Sequence, residues 1–179
     1  MKETLTKKEL RKTASEKIVF LPSREEKTDA VTNAALDFVD KNEVSSVAVY
    51  LSAGNELSTE KLVSALFDRG IKVSVPVITG DDMIFSSIRP DSSFNLSKYG
   101  IKEPSVIVTE EYFDVMFMPL VAFDPENNRL GHGKGYYDRY LQKNTEKITK
   151  KIGLAFAEQM VDAIPVESTD IRPDLIIYS

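Results

Sequence analysis

The sequence predicts an α/β fold in which a mostly parallel β-sheet lies between two layers of helices, a three-layer α/β/α arrangement. Short apolar runs rich in β-branched residues alternate with segments whose apolar residues recur at helical spacing. This alternation is typical of parallel strands joined by helical crossovers that cover both sheet faces. A further observation is the glycine-rich segment RLGHGKGYYDRYL at 129–141, which separates an apolar strand from a helix.

Four helices are predicted from the spacing of their apolar residues and from signals at their ends. Ser23 and Glu26 have the spacing of a capping box, so they are expected to start the second helix. Gly70 is the expected C-terminal cap of the third helix. The predicted helices lie at 5–18, 23–39, 59–67 and 136–141.

Six strands are predicted from apolar, β-branched runs. SSVAVYLS and KVSVPVI are clear examples, and DVMFMPLVAF is the longest run. The predicted strands lie at 45–52, 72–78, 83–88, 114–123, 151–157 and 174–179. Sheets of this kind bind ligands beyond the carboxyl ends of their strands, and the glycine-rich segment follows such an end.

The composition is that of one folded domain, and it excludes several classes of function. With 179 residues, 42% of them hydrophobic, the chain can bury one core, so we expect a single domain over 1–179. The absence of cysteine excludes disulfides, thiolate nucleophiles and sulfur-based zinc sites. A net charge of −5 argues against a nucleic-acid partner, and no apolar run approaches the ~20 residues of a membrane span. We expect a cytoplasmic protein without a secretory signal.

The glycine-rich segment matches neither of the two common phosphate-binding motifs. Lys134 is followed by Gly135 rather than by serine or threonine, and the third glycine comes one residue early for a dinucleotide fingerprint. The segment still suits an anion, because glycines let backbone N–H groups approach a phosphate and the following helix adds partial positive charge. Arg129 and Lys134 would add full charges. The alternative is an ordinary mobile turn.

Three titratable residues near this segment and near the C-terminus are weaker candidates. His132 is the single histidine, and the sequence lacks the nucleophile elbow that would make it part of a hydrolytic triad. Asp138 and Asp170 could hold Mg²⁺, which prefers carboxylates and nucleotide phosphates. They could equally be a helix-start acid and a turn acid.

The remaining candidates also have two interpretations each. Lys7 and Arg11 share a helix face that could neutralise phosphate or simply be solvated. Glu56, in the turn after a buried strand, could accept from a ligand donor or lie on the surface. Tyr136 and Tyr137 could stack on a ring or pack in the core.

Six motifs follow one another along the chain in an order that is characteristic of one family. The most specific is MPLVAFDPENNRLGHGKGYYDRYL at 118–141, and the others are KKELRK at 7–12, YLSAGNELSTEKL at 50–62, VPVI at 75–78, YGIKEP at 99–104 and IGLAFAEQMVDAIPVESTD at 152–170. With them the chain resembles the 5-formyltetrahydrofolate cyclo-ligase family, also called methenyltetrahydrofolate synthetases. The family often has a histidine before the acid that matches Asp170, where this chain has Thr169.

The resemblance implies a Rossmann-like fold of the NagB/RpiA/CoA-transferase-like type. It also implies ATP-dependent conversion of 5-formyltetrahydrofolate to 5,10-methenyltetrahydrofolate, with release of ADP and phosphate. The γ-phosphoryl group of ATP passes to the formyl oxygen, and N10 then attacks the activated carbon. The expected partners are therefore ATP, Mg²⁺ and the folate, with the protein a monomer or weak homodimer and no nucleic acid or membrane involved.

The same resemblance assigns a role to each candidate residue. Lys134 and Arg129 are the expected catalytic residues, and Asp138 and Asp170 are the expected metal ligands. Expected ATP-binding positions are Lys7, Arg11, Arg129, Leu130, Gly131, His132, Gly133, Lys134, Gly135, Tyr136 and Tyr137. Expected folate-binding positions are Leu51, Glu56, His132, Gly133, Lys134, Gly135 and Tyr136.

Two other functions remain open on sequence alone. One is a folate- or nucleotide-binding protein without turnover, which would be expected to lack Arg129, Lys134 or Asp138, although all three are present. The other is a different ATP-dependent enzyme on the same scaffold, which would act on another formamide or carboxylate. Glu56 favours folate over that alternative.

Overall fold

A mixed β-sheet runs through the centre of the computed structural model, which describes residues 5–97 and 100–179. The helices are α1 (Lys7–Val19), α2 (Arg24–Lys41), α3 (Glu60–Asp68) and α4 (Tyr136–Asn144). The strands are β1 (Ser46–Val49), β2 (Lys72–Thr79), β3 (Asp82–Ile88), β4 (Phe94–Leu96), β5 (Lys102–Pro104), β6 (Thr109–Glu110), β7 (Phe113–Met118), β8 (Ala122–Phe123), β9 (Arg129–Leu130), β10 (Ile148–Ala155) and β11 (Leu175–Tyr178). Tyr99, the first residue of the YGIKEP motif, lies outside the described residues.

In the described chain, the central sheet has seven strands in the order β11-β10-β7-β1-β2-β3-β6. β1 pairs in parallel with β2 and β7, and β10 pairs in parallel with β7 and β11. β3 and β6 extend one side as antiparallel partners, and the ribbons β4–β5 and β8–β9 lie outside the sheet. The parallel strands therefore end at a common edge, where α/β sheets bind their ligands.

Helices cover both faces of the sheet, so the predicted three-layer arrangement is confirmed. Val47 and Val49 of β1 belong to the core formed with α2 and α3, whereas Ala48 belongs to the core formed with α4. This is the alternation of side chains expected of a strand with helices on either side. The helices contribute Val31, Ala35, Leu62 and Leu66 to the first core and Tyr140 and Leu141 to the second.

The helix ends differ from prediction at one site. Ser23 precedes α2, but its backbone is left-handed, with a φ of 54°, and its side chain makes no capping hydrogen bond. The predicted capping box with Glu26 is therefore wrong. A capping box lies instead at the start of α1, where the Thr6 hydroxyl accepts from the Glu9 N–H and the Glu9 carboxylate accepts from the Thr6 N–H. Gly70 follows α3 with a φ of 70°, as predicted for a glycine that ends a helix.

The long strand predicted at 114–123 is two separate elements. β7 ends at Met118, because the next residue, Pro119, has no N–H to donate to a sheet ladder. The chain then leaves the sheet, and β8 pairs with β9 as a hairpin. The buried side chain of Gln159 donates to the carbonyl of Leu120 at 2.9 Å, which supplies a partner that the sheet no longer provides.

The turn of this hairpin is held by the buried carboxylate of Asp124. Its Oδ1 accepts from the backbone N–H groups of Glu126 and Asn128, both at 3.0 Å. Its Oδ2 accepts from the Asn128 side-chain amide and from the backbone N–H of Ile164, again both at 3.0 Å. One carboxylate thus fixes the hairpin before the glycine-rich segment and ties it to the chain shortly before Asp170.

Replacing Asp124 by asparagine is expected to destabilise the fold. Asparagine offers one acceptor oxygen in place of two, so at least one buried N–H group loses its partner. We expect the free energy of unfolding, measured by urea denaturation, to fall by about 2–3 kcal/mol. The control is Asp37→Asn on the exposed face of α2, with an expected change below about 0.5 kcal/mol. Equal stabilities for the two variants would contradict this account of Asp124.

Candidate functional site

A cavity of about 900 Å³ opens at the carboxyl edge of the parallel strands. Lys7 and Asp170, 163 positions apart in sequence, come within hydrogen-bond distance in its wall. All the candidate positions predicted from the sequence line this cavity: Lys7, Arg11, Leu51, Glu56, Arg129, Leu130, Gly131, His132, Gly133, Lys134, Gly135, Tyr136, Tyr137, Asp138 and Asp170. The fold therefore brings together residues from distant parts of the sequence.

The glycine-rich segment is shaped by contacts that only glycine permits. Gly133 and Gly135 have φ values of 94° and 72°, in the left-handed region that side chains rarely adopt. The Arg11 Nε–H donates to the carbonyl of Gly131 at 2.8 Å, so α1 holds the segment from one side. A Cβ atom on Gly133 would lie 3.2 Å from the central carbon of the Arg11 guanidinium. The segment and the cation of Arg11 are thus fitted to each other.

Arg129 is a buried cation, with 4% of its side chain exposed. Its Nη1 donates to the carbonyl of Pro119 at 3.2 Å, and its Nη2 donates to Asp138 Oδ1 at 3.2 Å. The guanidinium lies 5.6 Å from the centre of the Tyr137 ring. Its Nε is buried and has no partner among the described residues. Arg129 is therefore held beside the cavity by two of its five N–H groups.

A second ion pair lies in the cavity wall between Lys7 and two acids. Lys7 Nζ lies 2.7 Å from Asp170 Oδ2 and 3.1 Å from Glu167 Oε1. Partial burial lowers the pKa of Lys7, but the hydrogen bonds to the two acids outweigh this and raise it above its ordinary value. Burial likewise raises the pKa of Asp170, and the hydrogen bonds from Lys7 and from the Glu167 N–H bring it below its ordinary value. Both groups are therefore charged at neutral pH.

The two predicted metal ligands each keep one oxygen without a hydrogen bond in the described chain. Asp138 uses Oδ1 to accept from Arg129 and from the N–H of Ile171, the latter at 3.0 Å. Asp170 uses Oδ2 to accept from Lys7 and from the N–H of Glu167. In residues 5–97 and 100–179 no three His, Cys, Asp or Glu side chains are grouped to hold a metal. Two carboxylates are enough for a Mg²⁺ ion whose other ligands are water molecules and phosphate oxygens, so Asp138 and Asp170 fit such an ion.

Glu56 lies in the turn after β1, with both carboxylate oxygens engaged. Oε2 accepts from the N–H of Ala53 at 2.8 Å, and Oε1 lies 2.9 Å from Nε2 of the exposed His132. Arg24 of α2 donates to the carbonyls of Asn55 and Glu56 at 2.5 and 3.2 Å, which braces this turn. Arg24 was not among the predicted residues, since no local sequence pattern connects it with a turn so far along the chain.

Lys134 and the two tyrosines differ in how freely they can respond to a ligand. The side chain of Lys134 is exposed and makes no hydrogen bond or ion pair with the described residues, while its carbonyl accepts from Arg139 at 2.8 Å. Tyr136 is half-buried, with the Arg139 guanidinium 5.1 Å from its ring centre. Tyr137 packs against the core, its hydroxyl has no partner in the described chain, and burial raises its pKa. Tyr137 therefore packs in the core, as one of its two interpretations had it, and it also lines the cavity.

A further part of the cavity wall was not predicted as a site. It is mostly apolar and is formed by Pro76, Ile78, Met83, Ile101 and Glu103. Glu103 Oε1 accepts from the N–H of Ile78 at 3.0 Å, which attaches the β4–β5 ribbon to β2. The VPVI and YGIKEP motifs contain all of these residues except Met83, so they were the signal that could have identified most of this wall.

The described residues contain no helix that is both long enough and apolar enough to cross a lipid bilayer.

The family model and the relatives that match this chain carry the same family name. The model of the 5-formyltetrahydrofolate cyclo-ligase family matches residues 3–179. The 5-formyltetrahydrofolate cyclo-ligase of Haemophilus influenzae is 35% identical over 149 residues, which are 79% of this chain and 80% of that protein. The Escherichia coli K12 protein of the same name is 37% identical over 133 residues, 70% of this chain and 73% of its own.

Two solved structures also resemble this chain over nearly its whole length. The 5,10-methenyltetrahydrofolate synthetase of Aquifex aeolicus has a TM-score of 0.82 and 27% identity, covering 97% of this chain and 90% of that one. The Mycoplasma pneumoniae protein of the same name has a TM-score of 0.78 and 28% identity, covering 97% and 98%.

The fit between Gly133 and Arg11 predicts the effect of adding one methyl group. Gly133→Ala should force Arg11 away from the segment and weaken binding of inorganic triphosphate about tenfold, the value of one charge-assisted hydrogen bond. Isothermal titration calorimetry measures this affinity. Gly70→Ala is the control, because it also has a positive φ but meets no atom within 4 Å and lies outside the cavity. If both variants bind triphosphate as the parent does, the segment is not an anion site.

Proposed function

This chain belongs to the 5-formyltetrahydrofolate cyclo-ligase family, and we propose that it catalyses the ATP-dependent cyclisation of 5-formyltetrahydrofolate to 5,10-methenyltetrahydrofolate, with release of ADP and phosphate. The observation that carries the proposal is the single cavity that combines a glycine-rich cationic segment, two acids and an apolar wall. A triphosphate requires the first two features, and a planar ring requires the third. The reaction needs both ligands to meet, because a group passes directly between them.

The chemistry demands positioning and charge neutralisation more than covalent catalysis. The N5-formyl group is amide-like and therefore a poor electrophile. Transfer of the γ-phosphoryl group to the formyl oxygen, with ADP leaving, turns that oxygen into a leaving group. N10 then attacks the formyl carbon and loses its proton, and the carbon–oxygen bond breaks to release phosphate. Each step is favoured by cations that match the charge on the phosphoryl oxygens.

The cationic groups are suited to hold the triphosphate. Arg129 is fixed by Pro119 and Asp138, and its guanidinium has further N–H groups that these two contacts do not use. Arg11 is fixed by the glycine-rich segment, whose N–H groups precede the N-terminus of α4. Lys134 is free to follow the γ-phosphoryl group as it moves. We assign to these residues the binding of ATP, and to Arg129 and Lys134 the stabilisation of the transferring group.

The acids are suited to hold Mg²⁺, whose presence in the reaction is part of the proposal. Asp138 and Asp170 would bind it through the oxygens that make no hydrogen bond in the described chain. When bound, Mg²⁺ would neutralise charge on the phosphate oxygens. Lys7, now paired with Asp170, is within reach of the same phosphates.

The folate is assigned to the remainder of the cavity. Leu51 and Tyr136 offer apolar surface, and Glu56 with His132 offers polar groups at the turn after β1. The segment from Gly131 to Tyr136 would then contact both ligands where they meet. We further propose that residues 1–179 act as one domain in the cytoplasm, as a monomer or weak homodimer, on small molecules rather than on nucleic acid or membranes.

The first test of the proposal follows the methenyl chromophore by absorbance, with 5-formyltetrahydrofolate, Mg²⁺ and ATP, and with ATP omitted as control. ATP-dependent growth of the chromophore is the expected result. No growth from protein that binds both ligands would favour a binding protein without turnover.

Lys134→Ala is expected to lower kcat about 100-fold, the cost of removing one donor that acts in the transition state. The affinity for 5-formyltetrahydrofolate, measured by equilibrium titration without ATP, should stay unchanged. The matched control is Lys8→Ala, which removes an exposed lysine of α1 that does not line the cavity. An unchanged kcat for Lys134→Ala would remove that residue from the transfer step.

Asp138→Asn is expected to raise the Mg²⁺ concentration for half-maximal activity by at least about tenfold, since even outer contacts of a metal site have that effect. The measurement is the initial rate as a function of Mg²⁺ at saturating ATP. Asp81→Asn, an exposed acid beside the cavity, serves as the control. An identical Mg²⁺ dependence in parent and Asp138→Asn would disprove the ligand assignment.

A further inference from the structure

Arg139 of α4 was not among the predicted site residues, yet it lines the cavity and contacts the glycine-rich segment. Its Nη1 donates to the carbonyl of Lys134 at 2.8 Å. Its Nε and Nη2 donate to the carbonyl of Asp81, in the turn between β2 and β3, at 3.2 and 2.8 Å. One guanidinium thus joins the end of the glycine-rich segment to a turn of the central sheet.

Two further contacts fix the place and the plane of this guanidinium. Its central carbon lies 5.1 Å from the centre of the Tyr136 ring, and the Tyr136 hydroxyl donates to the carbonyl of Gly80 at 3.4 Å. A Cβ atom on Gly135 would lie 2.7 Å from Arg139 Nη1, closer than packed atoms come. The guanidinium therefore packs directly against the backbone of Gly135, and a larger residue there would have to displace it.

Arg11 and Arg139 hold the glycine-rich segment at its two ends in the same manner. Arg11 donates to the carbonyl of Gly131 and Arg139 to that of Lys134, both at 2.8 Å. A carbonyl that accepts from a fixed guanidinium cannot turn without losing a charge-assisted hydrogen bond. Both ends of the segment therefore have a set peptide orientation, although neither end belongs to a helix or a strand.

The carbonyl of Lys134 also sets the direction of the next N–H group along the chain. In a trans peptide unit, the C=O of one residue and the N–H of the next point in opposite directions. The N–H of Gly135 therefore points away from Arg139, and it makes no hydrogen bond with any described residue. It lies at the N-terminus of α4, where an anion is favoured.

We propose that Arg139 is a positioning residue that holds the Lys134–Gly135 peptide so that the Gly135 N–H donates to a phosphate of the bound nucleotide. The proposal rests on the proposed function. Three of the five N–H groups of Arg139 already donate to carbonyls, so its role is exerted through the backbone rather than through contact with phosphate. Without Arg139, the conformational freedom of glycine would let this peptide turn, and ATP would have to order it on binding.

The direct measurement is the amide signal of Gly135 in a two-dimensional ¹H–¹⁵N NMR spectrum. We expect its proton resonance to move downfield when inorganic triphosphate is added to the parent protein, because the N–H then donates to an anionic oxygen. In Arg139→Ala this shift should be lost. Isothermal titration calorimetry of the same variant should show triphosphate binding weakened about tenfold, the value of one hydrogen bond to a charged group.

Arg139→Lys separates the charge of this residue from its geometry. Lysine keeps the positive charge but lacks the planar fork that reaches two carbonyls at once. We expect it to lose the Gly135 shift and to bind triphosphate as weakly as Arg139→Ala. Parental affinity in Arg139→Lys would show that the charge alone is required, and the proposal would then be wrong.

Lys143→Ala is the matched control. Lys143 also attaches α4 to the turn between β2 and β3, through Asp82 Oδ1 at 2.9 Å, but it does not line the cavity and makes no hydrogen bond to the glycine-rich segment. Triphosphate affinity and the Gly135 shift should both be parental in this variant. Equal losses in Lys143→Ala and Arg139→Ala would mean that only the attachment of the helix matters, which contradicts the proposal.

The parent protein alone already provides one decisive result. A Gly135 amide signal that does not move while triphosphate binds would overturn the proposal, and this measurement needs no variant to fold. A parent that binds triphosphate but forms no methenyl chromophore would count against the proposed function instead. Neither the NMR nor the calorimetric titration needs folate or turnover, so both would still decide the role of Arg139.

Discussion

The cavity depends on one buried anion, the carboxylate of Asp124, which accepts four hydrogen bonds. Three of them close the β8–β9 hairpin, and the fourth, from Ile164, fixes the chain that leads to Asp170. The hairpin continues directly into Arg129 and the glycine-rich segment. Because none of these donors can move without losing a buried partner, the cationic segment and the acid at the far end of the sequence keep a constant relation to each other.

Two of the proposed phosphate ligands are already paired with the proposed metal ligands. Lys7 lies against Asp170, and Arg129 lies against Asp138. Binding of ATP with Mg²⁺ would exchange these partners, with cations turning to phosphate and acids to metal. Such an exchange of partners would leave few charges unpaired at any stage. An unpaired cation in a partly buried wall would carry an uncompensated desolvation free energy. This is how a chain with a net charge of −5 can present a local site for a polyanion.

The sequence was sufficient for the three layers, which follow from repeating patterns, and its motifs identified a set of residues that all line one cavity. It was insufficient where the decisive contact is distant. The run at 114–123 is apolar after Asp114 because its second half stays buried, and only the loss of one N–H at Pro119 ends the strand. Ser23 has capping spacing but a left-handed backbone. Glu103 lies in a three-residue strand, too short for any periodicity to indicate which way its side chain points.

The cations of the cavity also divide between those that are fixed and one that is not. Arg11 and Arg129 are held by backbone carbonyls and Lys7 is held by acids, so under the proposed function they would be preorganised for a triphosphate in its resting position. Interactions that bind ground state and transition state equally lower KM without raising kcat. Under the proposed function, Lys134, which has no partner in the described chain, would follow the phosphoryl group towards the formyl oxygen. Its exposed side chain leaves it that freedom, while the left-handed glycines on either side set the path of the backbone.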